Sequence, residues 1–338
     1  MPETAEPTGT PWTSRVGLVI PTLNAGDHLD RMLPALRGQT LVPARFLVID
    51  SSSRDDTAAR FRAAGAEVRI IAPESFDHGA TRQMAADMLD DVEFIIFLTQ
   101  DAIPAHPEAF ANLIAPFRDP DVGASYGRQL PSPDAGPIGA HARLFNYPER
   151  SHVRAMADAP RFGIKTIFCS NSFAAYRRTA LMEAGGFPEG TIFGEDMLMA
   201  AALLQQGRHI CYAAEARVFH SHDYGLSEEF RRYFDIGVLH GTQADVLRPF
   251  DRMGGEGLRF LGSELKYLRI RAAHAIPLAL LRSLLKYGGY RLGRVARYLP
   301  LALNRRLSMN RRYWMNRTNR LTISDAHRTT AKKAQTGR

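Results

Sequence analysis

Four carboxylates stand where a chain commonly does chemistry. Asp50 closes the apolar run RFLVI, Asp101 follows FIIFLTQ, and Glu195-Asp196 opens onto MLMAAALL. In an open α/β sheet, ligands bind outside the carboxyl ends of the strands. A carboxylate at Asp50 can accept a hydrogen bond from a nucleobase N–H; the alternative is a turn residue or helix cap before SSSRDDT. Asp101, delivered by an apolar strand, suits a hard divalent cation that keeps its waters and bridges phosphate oxygens. The alternative there is a cap for the region around Pro104–Pro107. Glu195 and Asp196 fall in the first turn of a helix, where negative charge is stabilised in any case. An acid fixed on a rigid, buried helix is also well placed to act as a general base.

These acids need strands and helices to hold them. Strands are expected over residues 16–21, 45–50, 67–72 and 93–98, with helices over 24–39, 54–65 and 81–91 between them. Apolar strands alternating with helices of about 12 residues predict an α/β fold with a doubly wound, mostly parallel sheet. The turn after the first strand, PTLNAG, is not G-x-G-x-x-G, which argues against a dinucleotide fold. Further on, a helix (107–117), a strand (122–130), a mobile loop (131–140), a strand (167–178) and a helix (194–207) are expected. Residues 209–222 read as two short strands, and 226–247 as a long helix capped by Ser227.

The chain has 338 residues, 45% hydrophobic and 23% charged, an ordinary composition for a protein with a proper core. Cys169 and Cys211 are too few for a disulfide framework or a zinc site, and their apolar surroundings predict buried thiols in a reducing compartment. The lead-in MPETAEPTGTPWTS has neither a basic nor an apolar region of a signal peptide and is expected to be disordered. No stretch reaches the ~18–20 apolar residues of a membrane-spanning helix. Charge is unevenly spread: from Arg248 onward, 21 Lys and Arg face four acids, while the earlier residues carry an acidic surplus. Basic helices with Tyr and Trp at their margins suit an anionic membrane surface, with an oligomer interface or plain packing as the alternative. No base-stacking or groove-reading module accompanies them, so nucleic acid is not an expected partner. The expected organisation is a lead-in (1–14), a catalytic domain (15–248), a basic helical region (249–322) and a disordered tail (323–338).

The segments VGLVIPTLNAGDHLDRMLPALRGQT and FLVIDSSSRDDT resemble the nucleotide-binding half of glycosyltransferase family 2, the inverting enzymes of the GT-A fold. FDHGATRQ, FLTQDAIP, SNSFAAYRR, FGEDMLMAAALL and FHSHDYGLSEEFRRYFDIGVLH resemble, more narrowly, the bacterial rhamnosyltransferases of that family. The resemblance spans roughly residues 15–248. It implies that Pro21, Thr22, Asp50 and Gln100 hold the nucleotide of a nucleotide-sugar donor, with Arg82 near the diphosphate or donor sugar. It implies Asp101 as the ligand of Mg²⁺ or Mn²⁺, Asp196 as the base that deprotonates the acceptor hydroxyl, and Glu195 beside it as orienting or binding the acceptor. His220 and His222 become candidates for a late metal or phosphate contact, against the alternative of loop histidines. The usual family signature is Asp-x-Asp; Thr99 takes its first position here, so Asp101 is expected to hold the metal alone.

The implied reaction moves L-rhamnose from dTDP-L-rhamnose onto a saccharide or lipid-linked saccharide, in cell-surface polysaccharide synthesis at the inner face of the membrane. Another nucleotide-sugar donor is the nearest alternative. A nucleotidyltransferase would need a Gly-rich loop with a basic residue after the first strand, which PTLNAGD lacks. A non-catalytic scaffold of the same fold is disfavoured by Asp50, Asp101 and Asp196 standing at their expected places.

Overall fold

A computed structural model describes residues 15–221, 224–251 and 255–315. Its centre is a nine-stranded sheet: β1 (Val16–Thr22), β2 (Arg45–Asp50), β3 (Glu67–Ile70), β4 (Phe94–Leu98), β5 (Ile103–Pro104), β6 (Val122–Leu130), β7 (His152–Arg154), β8 (Phe173–Arg177) and β9 (His209–Phe219). The order is β3-β2-β1-β4-β8-β6-β9-β5, with β7 also on β9. β1, β2, β3 and β4 pair in parallel, with helices as crossovers, as the alternating pattern predicts. β4 is buried along its whole length, which explains its unbroken apolar sequence FIIFL. β8 then enters antiparallel between β4 and β6, and β6 returns to a parallel pairing with β9.

This register decides where the acids emerge. Thr22 lies opposite Asp50 at the carboxyl ends of β1 and β2. Leu98 of β4 lies opposite Phe173 of β8, so the exit of β4 runs beside the entry to β8. The Thr99 N–H donates to the Ser172 carbonyl at 3.2 Å and extends that contact into the loops. Asp101, in the loop after β4, and the residues before β8 are thereby brought to one edge.

The second half of the chain differs in detail from its pattern. Residues 209–219 form one strand rather than two, because β9 spans the full length of β6 and absorbs the irregularity as a register shift between Gly127 and Arg128. Of 167–178, only Phe173–Arg177 is strand; a turn of 3₁₀-helix (Gly163–Ile167) precedes it. Pro137 starts a helix within the stretch expected as a loop (Pro137–Asn146). The Leu226–Thr242 helix is capped at Gly225, whose N–H donates to Glu228 Oε2 at 2.8 Å, so Ser227 lies inside the first turn rather than capping it. Cys169 and Cys211 are buried free thiols, as expected.

Contacts group the described chain into two compact units. The larger holds the sheet together with residues 194–221, 245–251 and 255–279. In it the Glu256–Arg271 helix contributes Leu268, which packs with Ile138, Ala272, Ala275 and Ala279 in a small second core. The smaller unit holds residues 190–193, 224–244 and 280 onward. There Gly237 and Gly293 let two helix backbones meet: a Cβ at Gly293 would overlap the Phe234 carbonyl, and one at Gly237 the Tyr290 carbonyl. Among the described residues no helix is long and apolar enough to cross a membrane. The expectations for 1–14, for 323–338 and for His222 lie outside the described residues.

One close approach sets the position of a helix that the site needs. Gly79 is in the first turn of the His78–Met88 helix, and a Cβ there would overlap the Pro188 backbone carbonyl. Backbone cannot swing aside as a flexible side chain can, so Gly79→Ala should cost about 1–3 kcal/mol, the usual scale of overpacking. Denaturant titration of the purified variant checks this; an unchanged midpoint would mean the contact is looser than its geometry.

Candidate functional site

At the exits of β1 and β2 two loops are tied together through side chains. Asp50 is buried, and its two carboxylate oxygens accept from the Ser53 N–H and the Ser53 hydroxyl. That Ser53 oxygen in turn accepts from the Asn24 N–H at 2.8 Å, while Asn24 Oδ1 accepts from the Arg54 N–H at 2.9 Å. Asn24 and Ser52 both take left-handed backbone, at φ 49° and 60°, which non-glycine residues adopt only when neighbours hold them there. Gln100 braces the same corner: its Oε1 accepts from the Thr22 hydroxyl at 3.0 Å and the Leu23 N–H at 2.7 Å, and its NH₂ donates to the Leu23 carbonyl. Thr22, Asp50 and Gln100 therefore belong to one rigid corner, with Pro21 next to it in β1.

Asp101 meets His220 from the end of β9, with Nε2 3.3 Å from Asp101 Oδ2. The Asp101 carboxylate is the kind of oxygen donor that Mg²⁺ or Mn²⁺ takes, and the His220 imidazole beside it would suit Mn²⁺ better than Mg²⁺. Among the described residues no cluster of three or more His, Cys, Asp or Glu side chains makes a protein-only metal site. A cleft of about 390 Å³ reaches Asp101 and is also lined by His28, Arg31, Ser132, Asp134 and Phe219.

The third cluster surrounds the acids of the Glu195–Gln205 helix, which starts after Gly194 in left-handed backbone at φ 79°. Glu195 is 4% exposed. Its Oε1 accepts from Arg82 Nη1 at 3.0 Å and from Asn171 Nδ2 at 3.1 Å. Arg82 is equally enclosed and also donates to the His78 carbonyl at 3.0 Å. Asn171 has a second role, since its backbone N–H donates to Asp196 Oδ2 at 3.1 Å. Its own amide is oriented by the Tyr176 hydroxyl, which donates to Oδ1 at 2.8 Å. Arg82 is thus brought against Glu195 inside the protein.

Adjacent in sequence, the two acids end with opposite protonation preferences. Burial alone would raise Glu195, but the Arg82 guanidinium, His78 and the Asn171 amide together hold its carboxyl below the ordinary range. Asp196 is pushed up to about 6, first by burial and then by the negative charge of Glu195. A pair separated in this way has one member fixed as an anion and the other poised to take a proton near neutrality. Burial also pushes the Cys169 thiol beside them up to about 12, so it stays protonated and inert.

Residues 170–172 join these clusters. Ser170 accepts from Gln129 Nε2 at 2.9 Å, Asn171 holds both acids, and the Ser172 carbonyl takes the Thr99 N–H. None of Ser170, Asn171, Gln129 and Tyr176 stood out as a site residue in the sequence. The run SNSFAAYRR did, but nothing local distinguishes its asparagine from a turn residue.

The family model for glycosyl transferase family 2 matches residues 18–185. The chain is 47% identical over 305 residues to the O-antigen chain rhamnosyltransferase RfbN of Salmonella typhimurium strain LT2, covering 89% of this chain and 96% of that one. This chain belongs to glycosyltransferase family 2. A second relative, the O-antigen chain rhamnosyltransferase WbaN of Salmonella anatum, is 44% identical over 300 residues, covering 88% of this chain and 95% of the relative. In fold, this family 2 chain is similar to the mannosyltransferase PcManGT of Pyrobaculum calidifontis, solved with GDP-Man and Mn²⁺. That likeness has a TM-score of 0.54 at 19% identity and covers 84% of each chain. The α/β fold expected from the sequence is therefore the one observed, and the protein is a glycosyltransferase.

The raised Asp196 carboxyl carries a consequence for stability. A carboxyl whose folded pKa lies above its unfolded value favours the fold while neutral, and that contribution is lost as pH rises through the folded value. Asp196→Asn stays neutral throughout. Relative to the parent protein it should gain stability as pH rises from about 4 to about 7, bracketing the ordinary carboxyl value and the raised one. Denaturant midpoints of both proteins across that range test it; a difference that does not vary with pH would contradict the shift.

Proposed function

We propose that the protein is an inverting rhamnosyltransferase. It moves L-rhamnose from a dTDP-L-rhamnose-type donor onto a saccharide or lipid-linked saccharide in the assembly of a cell-surface polysaccharide. The observation that carries the mechanism is the buried Arg82–Glu195 pair beside a carboxyl raised to about 6. The sugar is supported by the names of two relatives, both rhamnosyltransferases of O-antigen chains.

Asp196 takes the proton from the acceptor hydroxyl as its oxygen attacks the anomeric carbon. The bond from that carbon to the diphosphate breaks on the opposite face, so the configuration inverts in one displacement and no enzyme nucleophile is required. Glu195 remains ionised against Arg82 and Asn171 and keeps Asp196 basic enough to accept the proton. Asn171 fixes the direction in which the Asp196 carboxylate points. The corner of Pro21, Thr22, Asp50 and Gln100 receives the nucleoside, and Arg82 lines the donor side of the acids. Asp101 and His220 would hold Mg²⁺ or Mn²⁺, with His222 a further candidate. When bound there, the ion supplies positive charge to the leaving diphosphate.

Asp196→Asn should lower turnover by ~10²–10⁴, the usual worth of a positioned base, while donor affinity stays within a few-fold. Nucleoside diphosphate release across a panel of donors, with and without chelator, reads both the sugar and the metal. Preferential turnover of UDP-hexoses over dTDP-L-rhamnose would overturn the donor. Full activity in chelator would remove the metal role, and full activity of the Asn variant would move the base elsewhere.

In the proposed organisation the catalytic domain runs over 15–248, and the basic region over 249–322 attaches it to the inner face of the membrane. Between Leu258 and Met315 the sole acid is Glu264, set among 13 Lys and Arg. In the Ile276–Arg294 helix, Leu280, Leu281, Leu284 and Tyr287 are exposed, the last two at 69% and 60%. Exposed leucines and a tyrosine within a nearly acid-free basic region match an anionic lipid surface, where each base contributes ~1 kcal/mol within a screening length of ~8–10 Å. Co-sedimentation with phosphatidylserine-containing vesicles should be strong at low salt, fall with added salt, and weaken in Leu284→Glu/Tyr287→Glu. Absence of binding at low salt would assign this face to a second copy or to packing.

A further inference from the structure

The Asp101–His220 pair depends on which imidazole nitrogen carries the proton, and two residues outside every motif decide it. His220 is 4% exposed, and its Nδ1 lies 2.8 Å from Gln129 Oε1. An amide could in principle turn either its oxygen or its NH₂ toward that nitrogen. Here it cannot. Arg143 Nη1 lies 2.7 Å from the same Oε1, and a guanidinium only donates, so the oxygen must face it. At the other end of the amide, Nε2 donates to Ser170 Oγ at 2.9 Å. With the oxygen fixed, His220 Nδ1 must be the donor, and Nε2 is left to face Asp101 Oδ2 at 3.3 Å.

We propose that Gln129, oriented by Arg143 and Ser170, is a positioning residue that holds a proton on Nδ1 of His220, so that Nε2, the nitrogen turned toward Asp101, is the one presented to a cation. Gln129 is 2% exposed in β6, one position before the strand's last residue, and His220 follows the end of β9, its parallel neighbour. The sheet register therefore holds donor and acceptor in line without a flexible loop between them. A hydrogen bond to the far nitrogen orients a ligating imidazole and makes it more basic, and loss of such a partner commonly costs 10–100-fold in metal affinity. That value of the lock rests on the reading of Asp101 and His220 as metal ligands. The lock itself rests on geometry alone.

The test separates the two. Histidine-selective ¹⁵N labelling of the metal-free protein, at a pH well above the ordinary imidazole range, reads which nitrogen of His220 carries hydrogen; His220→Gln assigns the signal. The expected spectrum has Nδ1–H and a pyridine-type Nε2. Gln129→Glu keeps an acceptor for both Nδ1–H and Arg143 and should preserve that signature, whereas Gln129→Leu should lose it or mix the tautomers. Mn²⁺ titration by electron paramagnetic resonance, with dTDP present, should show affinity falling 10–100-fold in Gln129→Leu and staying within a few-fold in Gln129→Glu. An Nε2–H signature in the parent protein, or an unchanged signature in Gln129→Leu, overturns the lock. Failure of the parent protein to bind Mn²⁺ despite an Nδ1–H signature removes the metal reading and leaves the lock standing.

Discussion

Everything at this site depends on a buried charge being compensated. Glu195 sits where water cannot reach it, and an unpaired carboxylate there would cost the fold several kcal/mol. The Arg82 guanidinium and the Asn171 amide meet the same oxygen, at 3.0 and 3.1 Å, and make the charge tolerable. Removing either partner leaves a charge or a polar group stranded, so the pair, the helix carrying Arg82 and the turn carrying Asn171 stand or fall together. Gly79 belongs to the same constraint, because it lets the Arg82 helix approach the Pro188 backbone.

That constraint gives Asp196 its chemistry. Burial is the larger reason that its carboxyl resists ionisation, and the neighbouring anion adds to it. With a fixed anion one residue away, its proton affinity rises toward neutrality, where a base is useful. The two acids titrate as a pair, and what the structure sets is which of them keeps its charge. The second corner is held by a similar chain of contacts. Arg143 fixes an amide, the amide fixes an imidazole, and the imidazole faces Asp101. Residues 170–172 connect both clusters to the exit of β4, so the Glu195–Asp196 pair and the Gln129–His220 pair are referenced to one short stretch of backbone.

Much of this was legible in the sequence. Unbroken apolar runs ending in Asp50 and Asp101 located two strands and their carboxyl ends, and the parallel half of the sheet followed from the spacing of helices between them. Asp196 stood out as an acid beside another acid on an apolar helix. What was hidden depends on pairing across long separations. Gln129 and His220 are 91 positions apart, and Arg82 and Glu195 meet through folds of the chain that no local pattern encodes. Arg82 could be named from its motif, but its partner could not. β9 read as two strands because its length is set by its match to β6, and Ser227 read as a cap because Glu228 reaching back to Gly225 is visible only in three dimensions.

The central claim is that the fixed charge of Glu195 adds to burial in raising the proton affinity of Asp196. The direct measurement is the pH dependence of kcat/KM for Glu195→Gln beside the parent protein. In the parent, the acid limb should lie near the raised Asp196 value of about 6. In the variant the repelling charge is gone and the Arg82 guanidinium remains, so both effects favour the Asp196 carboxylate and the limb should move to lower pH. A limb that stays where it was, or moves upward, would contradict the account.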